Sequence, residues 1–320
     1  MKPKEILVFG ASGQIGRHLI RKLTKNNYKV VAVTRNIHQK GYILKTQANP
    51  GYLEIVELPY FEVKKITRLL DECSICINLI GILFEKRKNN FKNIHTEFPN
   101  LLSKLSAEKN IEKLIHLSSL GIEKSQDSKY AMSKLEGEKK IKNNFDNFVI
   151  LKPSVVYSVD DDFSTNLMTL LSYLPLMPLY YEGKTKFSPI HVTDLTEIIF
   201  DVVQGKTNES IIECVGPETL SFKEIIIKLL KAIDKKRLLI PMPLSIAKMT
   251  AKIFEIMPNP LITVDQINLL KHDNVASGNY KTNFDLGIKA NRIFDEEIEK
   301  YSFNWRDGGQ FSIDKSSKKN

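Results

Sequence analysis

Over about the first 150 residues, short apolar, β-branched runs alternate with longer segments whose apolar positions recur at helical spacing. "EILVFG", "YKVVAVTR", "LEIVEL", "SICINLIG", "KLIHLSS" and "NFVILKPSVVY" read as strands. Between them, "QIGRHLIRKLTKN", "FKNIHTEFPNLLSKLSAEKN" and "KYAMSKLEGEKKIKNN" read as helices. Alternation of this kind builds βαβ units, so the predicted fold class is α/β with a doubly wound parallel sheet. After Tyr157 the pattern loosens into shorter helices, proline-rich turns and isolated strands. We therefore expect a main domain over 1–157 and a smaller α/β portion over 158–310 that caps the mouth of the sheet. The chain is expected to cross between the two, and 311–320 to form a polar, frayed tail.

Composition alters this picture little. The chain has 320 residues, 42% of them hydrophobic, enough for a substantial core. A net charge of +10 suits an anionic partner such as a nucleotide, an anionic membrane surface or an acidic protein; dispersed lysines also simply solvate a surface. No cluster of aromatics among basic residues supports nucleic acid. Three cysteines build no disulfide framework, and the lone Cys73-x-x-Cys76 opens an apolar run where residues three apart face opposite ways, so no metal is expected. From the first residues, "MKPKEILVFGASG", no export signal is expected, and because "LMTLLSYLPLMPLYY" is broken by Pro175 and Pro178, no membrane span is expected either.

The chemistry begins directly after the first strand, at Gly10, Ser12, Gly13, Gln14, Ile15 and Gly16. Glycines there permit a tight turn and close backbone approach to a pyrophosphate, which rests on the N-terminus of the following helix. The end of the second strand offers Thr34 and Arg35 where a carboxylate would hydrogen-bond the ribose of NAD. An arginine can instead pair with a 2′-phosphate, with Arg17 assisting, so NADP(H) is favoured over NAD(H).

The glycine spacing, "NLIG" with Leu79 and Gly81, "HLSS" with Ser118 and Ser119, and Tyr130 with Lys134 together resemble the short-chain dehydrogenase/reductase superfamily, its extended and atypical branches best. "NLIGILFE", "KYAMSKLEGE", "DDFSTNL" and above all "PNPLITVDQINLLKHDNV" from Pro258 narrow the likeness. They resemble the family of Rossmann-fold accessory subunits of respiratory complex I (alpha subcomplex subunit nine) and its bacterial relatives. The resemblance implies a Rossmann NAD(P)-binding domain over 1–157, a substrate or partner portion after it, NADPH held without obvious turnover, and complex I subunits as partners. It also implies residence in a bacterial cytoplasm, peripheral at the inner membrane. The alternative is a free NADP-dependent oxidoreductase or epimerase acting on a sugar nucleotide or an isoprenoid- or quinone-related compound.

In active members of that superfamily a tyrosine hydroxyl exchanges a proton with the substrate while a lysine ammonium stabilises the phenolate and holds the nicotinamide ribose. Tyr130 and Lys134 share one helix face at i and i+4, and Ser119, or Ser118 beside it, is placed to orient the substrate oxygen. The residue types for catalysis are thus Tyr130, Lys134 and Ser119. Only "LGIEKSQDSK" separates Ser119 from Tyr130, however, which shortens the wall that normally shapes a catalytic pocket and favours a cofactor clamp over turnover. Pro153 and Ser154, at the end of the sixth strand, are expected to reach the nicotinamide through backbone groups. Tyr60/Lys64 and Tyr180/Lys184 repeat the spacing outside this context, as surface coincidences. Asp194 is expected to cap a helix with Glu197, His116 to be core, and His191 either to be structural or to face the cleft.

One more stretch stands out. "LSIAKMTAKIFEIM" places Ile246, Met249, Ile253 and Met257 on one side of a helix bearing Lys248 and Lys252. Such a stripe either packs into a core or lies on a membrane or a partner.

Overall fold

The computed structural model describes residues 5–86, 89–257 and 260–309; the expected tail at 311–320 lies outside them. Its centre is a parallel sheet of seven strands. These are β1 (Glu5–Phe9), β2 (Lys29–Thr34), β3 (Leu53–Glu57), β4 (Ile75–Asn78), β5 (Lys113–Leu117), β6 (Phe148–Pro153) and β7 (Ile211–Cys214), in the order β7-β6-β5-β4-β1-β2-β3. The sheet is apolar on both faces, so both are covered. Ile6 and Val8 of β1 share a core with Leu19, Ile20 and Leu23 of α1 (Gln14–Lys25) and with Leu44 of α2 (Ile37–Lys45). Leu7 and Phe9 share the opposite core with Leu69 and Leu70 of α3 (Val63–Glu72), Phe98 and Leu102 of α4 (Phe98–Glu108) and Ile141 of α5 (Lys129–Asn144).

The chain runs outward from β1 to β3, then returns to β4 on the other side of β1. The loops after β1 and β4 therefore part at a topological switch point, the place where open α/β sheets hold ligands. Gly10 sits there at φ +78°, and a Cβ on it would come within 3.0 Å of the Leu79 carbonyl carbon. A side chain is excluded by both conformation and space.

The remaining chain folds as α6 (Ser164–Tyr173), α7 (Val192–Val203), α8 (Phe222–Ala232), α9 (Leu244–Phe254), α10 (Val264–Leu269) and α11 (Phe294–Glu299), with three two-stranded pairs among them. A second core gathers Leu167 and Met168 of α6, Ile225 and Leu229 of α8 and Phe294 and Ile298 of α11 around Tyr157. The chain crosses between the two parts: Leu195, Ile198 and Ile199 of α7 and Ile212 of β7 belong to the first core.

Local corrections follow from this packing. Asp194 is not a cap but a buried helix residue, paired with the Arg292 guanidinium and accepting from the Arg292 amide at 3.1 Å. His191 takes the N-cap instead, its Nδ1 accepting from Thr193 N at 3.3 Å, with its ring 5.2 Å from Tyr157. Cys73 ends α3 rather than opening β4, and it shares one core with Cys76, whose thiol burial pushes up. Tyr180 is buried against Ala247, Ala251 and Ile267, not a surface coincidence.

Candidate nucleotide site at the switch point

Gly13 forms the N-cap of α1, and its amide donates to Gly10 O at 3.0 Å, closing the turn. A Cβ on Gly16 would lie 2.5 Å from the carbonyl oxygens of both Gly10 and Ala11, so the third glycine lets the helix press against the loop. Ile15 packs toward the sheet core, and Ser12 is half-buried with its hydroxyl 3.4 Å from Thr34 Oγ1. Thr34 is buried, whereas Arg35 projects into solvent and has no ion-pair partner among the described residues. Glu57, the register partner of Thr34 on β3, accepts the amide of Ile37 at 2.9 Å and so helps cap the start of α2.

The opposite end of the cleft is built on α5. Tyr130 lies in its first turn, with ring centroids 5.2 Å from His95 and 5.8 Å from Phe91. Lys134, one turn on, is 6% exposed, its Nζ 5.5 Å from the centre of the Tyr130 ring. That ammonium donates to Leu117 O at 3.3 Å and has no carboxylate partner among the described residues. Of its three donors, one is used by protein there. Buried ammonium groups are normally paired, so an unpaired one marks a position kept for something other than stability. Gly81 faces the same space: a Cβ there would stand 3.9 Å from His95 Nε2 and 4.0 Å from Lys134 Nζ.

His95 went unnoticed in the sequence, and it organises this corner. It lies in a π-helical turn, Lys92–Glu97, that Gly137 of α5 approaches so closely that a Cβ would fall 1.9 Å from His95 O. Its Nε2 accepts from Ile82 N at 3.1 Å, and its Nδ1 lies 3.0 Å from Ser133 Oγ, whose hydrogen goes to Tyr130 O at 2.7 Å. The proton therefore sits on Nδ1. Burial, with the Lys134 charge second, holds His95 neutral with a pKa near 2. His116 is likewise buried, pushed down to about 3, and lies 3.1 Å from the Asn78 amide nitrogen.

The two strand-end serines diverge. The buried Ser118 hydroxyl donates to Glu138 Oε1 at 2.5 Å, and Glu138 in turn holds Lys152 Nζ at 2.9 Å, with Glu123 on the same ammonium. Burial alone would lower the Lys152 pKa, but these two carboxylates hold it above its usual value. Ser118 thus ties α5 to the sheet, and its side chain does not face the cleft. Ser119 is half-buried, and its hydroxyl has no protein partner among the described residues. Ser154 is also turned inward, donating to Asn274 Oδ1 at 2.6 Å, while its amide donates to Cys214 O at 3.0 Å and Pro153 O accepts from Leu120 N at 3.0 Å.

A family model described as the NAD dependent epimerase/dehydratase family matches residues 6–212, from β1 into β7. The chain belongs to that family. Among curated relatives, the mitochondrial 40 kDa subunit of NADH-ubiquinone oxidoreductase from Neurospora crassa is 25% identical over 284 residues, covering 88% of this chain and 74% of that protein. Mitochondrial NADH dehydrogenase [ubiquinone] 1 alpha subcomplex subunit 9 from Mus musculus is 25% identical, covering 91% and 78%. Among solved structures, the UDP-glucose 4-epimerase of Thermus thermophilus in complex with NAD superposes with a TM-score of 0.69 at 15% identity, over 94% of this chain and 98% of that one.

The region matched to the epimerase/dehydratase family contains the glycine loop, the β4 end, Ser119, Tyr130 and Lys134. Residues 263–274, which pack over the link between Ser119 and Tyr130, lie beyond it. Asn274 donates to Leu120 O at 2.6 Å, Asn268 to Asp127 O at 3.0 Å, and Leu269 packs with Phe91, Ile122 and Tyr130. The short link is thus walled by the distant "LITVDQINLLKHDN" segment. Chemically, an ammonium beside a phenol can hold ribose hydroxyls, and the loop amides at α1 suit a pyrophosphate.

Proposed function

We propose that this chain is an NADP(H)-binding accessory or assembly protein of respiratory complex I, in which Tyr130 and Lys134 clamp the nicotinamide ribose rather than turn over a substrate. The observation that carries it is the buried Lys134 ammonium, lacking a carboxylate among the described residues and facing Tyr130 and Gly81 at the switch point. The pyrophosphate lies on the Gly10–Gly16 loop and the 2′-phosphate at Arg35, with Ser12 and Thr34 beside it. Complex I as the partner rests on the relatives' names and on their coverage of most of this chain.

The site of action is the cytoplasmic face of a bacterial inner membrane, against an anionic surface. In support, the stripe on α9 points outward: Met249 is 60% and Ile253 59% exposed, whereas the inner face consists of Ala247 and Ala251. Exposed apolar stripes flanked by lysines mark interaction surfaces. Among the described residues no helix is long and apolar enough to cross a membrane, so attachment is peripheral in this reading.

Affinity capture from solubilised membranes, with cofactor identification in the eluate, tests both halves. Complex I subunits and stoichiometric NADPH are expected; an eluate without those subunits removes the main support. The alternative, a free oxidoreductase or epimerase, is favoured by Ser119, Tyr130 and Lys134 occurring together. It requires NADPH consumption or epimerisation with a sugar nucleotide or quinone-related compound that disappears in Tyr130→Phe.

A further inference from the structure

The first amides of a helix have no partner within it, and something must meet them. In α5 the N-cap Ser128 accepts from Ala131 N at 3.2 Å, which leaves the two amides before it. Both point at one carboxylate, 135 residues downstream. Asp265 of α10 accepts from Lys129 N at 2.7 Å through Oδ1, and from Tyr130 N at 3.1 Å and Ser128 Oγ at 2.8 Å through Oδ2. Its negative charge also suits the positive end of the α5 dipole.

Asp265 is itself firmly placed. Thr263 and Gln266 form a reciprocal capping box at the start of α10, and Val264 N donates to Glu255 Oε1 at 2.8 Å, which joins α10 to the end of α9. Asn268 and Lys271 both reach Asp127, just before the α5 cap. The first turn of α5 is therefore located from outside by the C-terminal portion. Tyr130 is in that turn, its own amide being one of the donors, and Lys134 follows at i+4 on the same face.

We propose that Asp265 is a positioning residue of the nucleotide site, through which the C-terminal portion sets the placement of Tyr130 and Lys134. This rests on the reading that those two side chains hold the nicotinamide ribose. Asp265 touches the helix and not the ligand, so its effect is confined to the nicotinamide half of the cofactor.

Two ligands separate this from a general loosening: NADPH, which spans the whole site, and adenosine 2′,5′-bisphosphate, which ends before the nicotinamide ribose. Asp265→Ala and Asp265→Asn are expected to bind NADPH about tenfold more weakly, the loss of a helix cap carrying a charge. Both are expected to keep the wild-type affinity for the bisphosphate. Amide exchange at Lys129 and Tyr130 should quicken in parallel. Unchanged NADPH affinity in both variants overturns the proposal, as does an equal loss for both ligands. A wild-type protein that binds neither NADPH nor NADH refutes the nucleotide reading itself and takes the proposal with it.

Discussion

Arg17 is ion-paired with Asp160 across the mouth of the phosphate loop, and its Nε donates to Gly13 O at 3.3 Å. Next to it, Gln14 Nε2 donates to Ser158 Oγ at 2.9 Å, and Ser158 passes its own hydrogen to Asp160 Oδ1 at 2.6 Å. The segment after Tyr157 is laced onto the loop by these contacts. The Arg17 guanidinium is engaged in them, whereas Arg35 at the β2 end is exposed, and the proposed NADP(H) reading assigns the 2′-phosphate to Arg35.

Arg35→Asp should therefore weaken NADPH relative to NADH, by about ten- to a hundredfold for a lost charge-assisted pair replaced by repulsion. Arg17→Ala should leave the NADPH/NADH ratio unchanged. Titrations by nucleotide fluorescence decide the matter, and a preference that shifts with Arg17 and not with Arg35 would put the 2′-phosphate in the wrong place.

Lys134 and Tyr130 should separate in a second pair of variants. If Lys134 holds the ribose as proposed, Lys134→Met should cost about tenfold or more in NADPH affinity, the loss of a charge-assisted hydrogen bond. It also removes a buried ammonium that has no carboxylate partner among the described residues, so Tm should hold or rise. Tyr130→Phe keeps the ring against Phe91 and His95 and deletes only the hydroxyl, so a smaller loss is expected. A Lys134→Met protein that melts early while binding NADPH normally would make the lysine a structural residue.

Much of this architecture was legible in the sequence, because parallel strands covered on both faces leave near-continuous apolar runs and a glycine loop leaves its spacing. The i, i+4 relation of Tyr130 and Lys134 was equally readable, since helix geometry alone puts them on one face. What escaped were contacts between distant segments. Nothing local marks His95 as the acceptor of the Ile82 amide, or Asp265 as the cap of a helix 135 residues earlier. "HLSS" offered two serines, and only packing against Glu138 shows that Ser118 faces inward. The α9 stripe was ambiguous because a helix exposing its larger apolar residues and burying alanines has the same period as one doing the reverse.

Acid should destabilise the fold through its buried histidines. Burial is the largest cause in each case, and it holds His95 near 2, His116 near 3 and His191 near 4, all below the usual 6.5. Above pH 6.5 neither state is charged and these groups contribute nothing. Below it the unfolded chain takes up protons that the folded one refuses, so stability falls until each folded pKa is passed, first that of His191. Each histidine contributes a slope of up to about 1.4 kcal/mol per pH unit once the unfolded imidazole is protonated. Urea midpoints measured from pH 7 to pH 4.5 should drop steeply below pH 6. His191→Asn, which retains an N-cap acceptor, should flatten the slope by about one proton. A midpoint that does not move with pH in this range would refute the assignment of these histidines as neutral.

The outward face of α9 yields the sharpest contrast between binding and folding. Met249 and Ile253 are exposed, so Met249→Glu and Ile253→Glu remove apolar contact area at little cost to the fold, with stability expected to change by less than about 0.5 kcal/mol. Ala251 is fully buried with Tyr180 and Ile267, so Ala251→Glu drives an unpaired charge into that cluster and should destabilise by several kcal/mol. Sedimentation with vesicles containing anionic lipid, run beside the complex I capture, reads the other side of the comparison. The two exposed-face variants should lose membrane or complex I retention while melting as the wild type does. Retention that survives both substitutions would remove α9 from the docking surface and return its exposed stripe to an ordinary solvated helix.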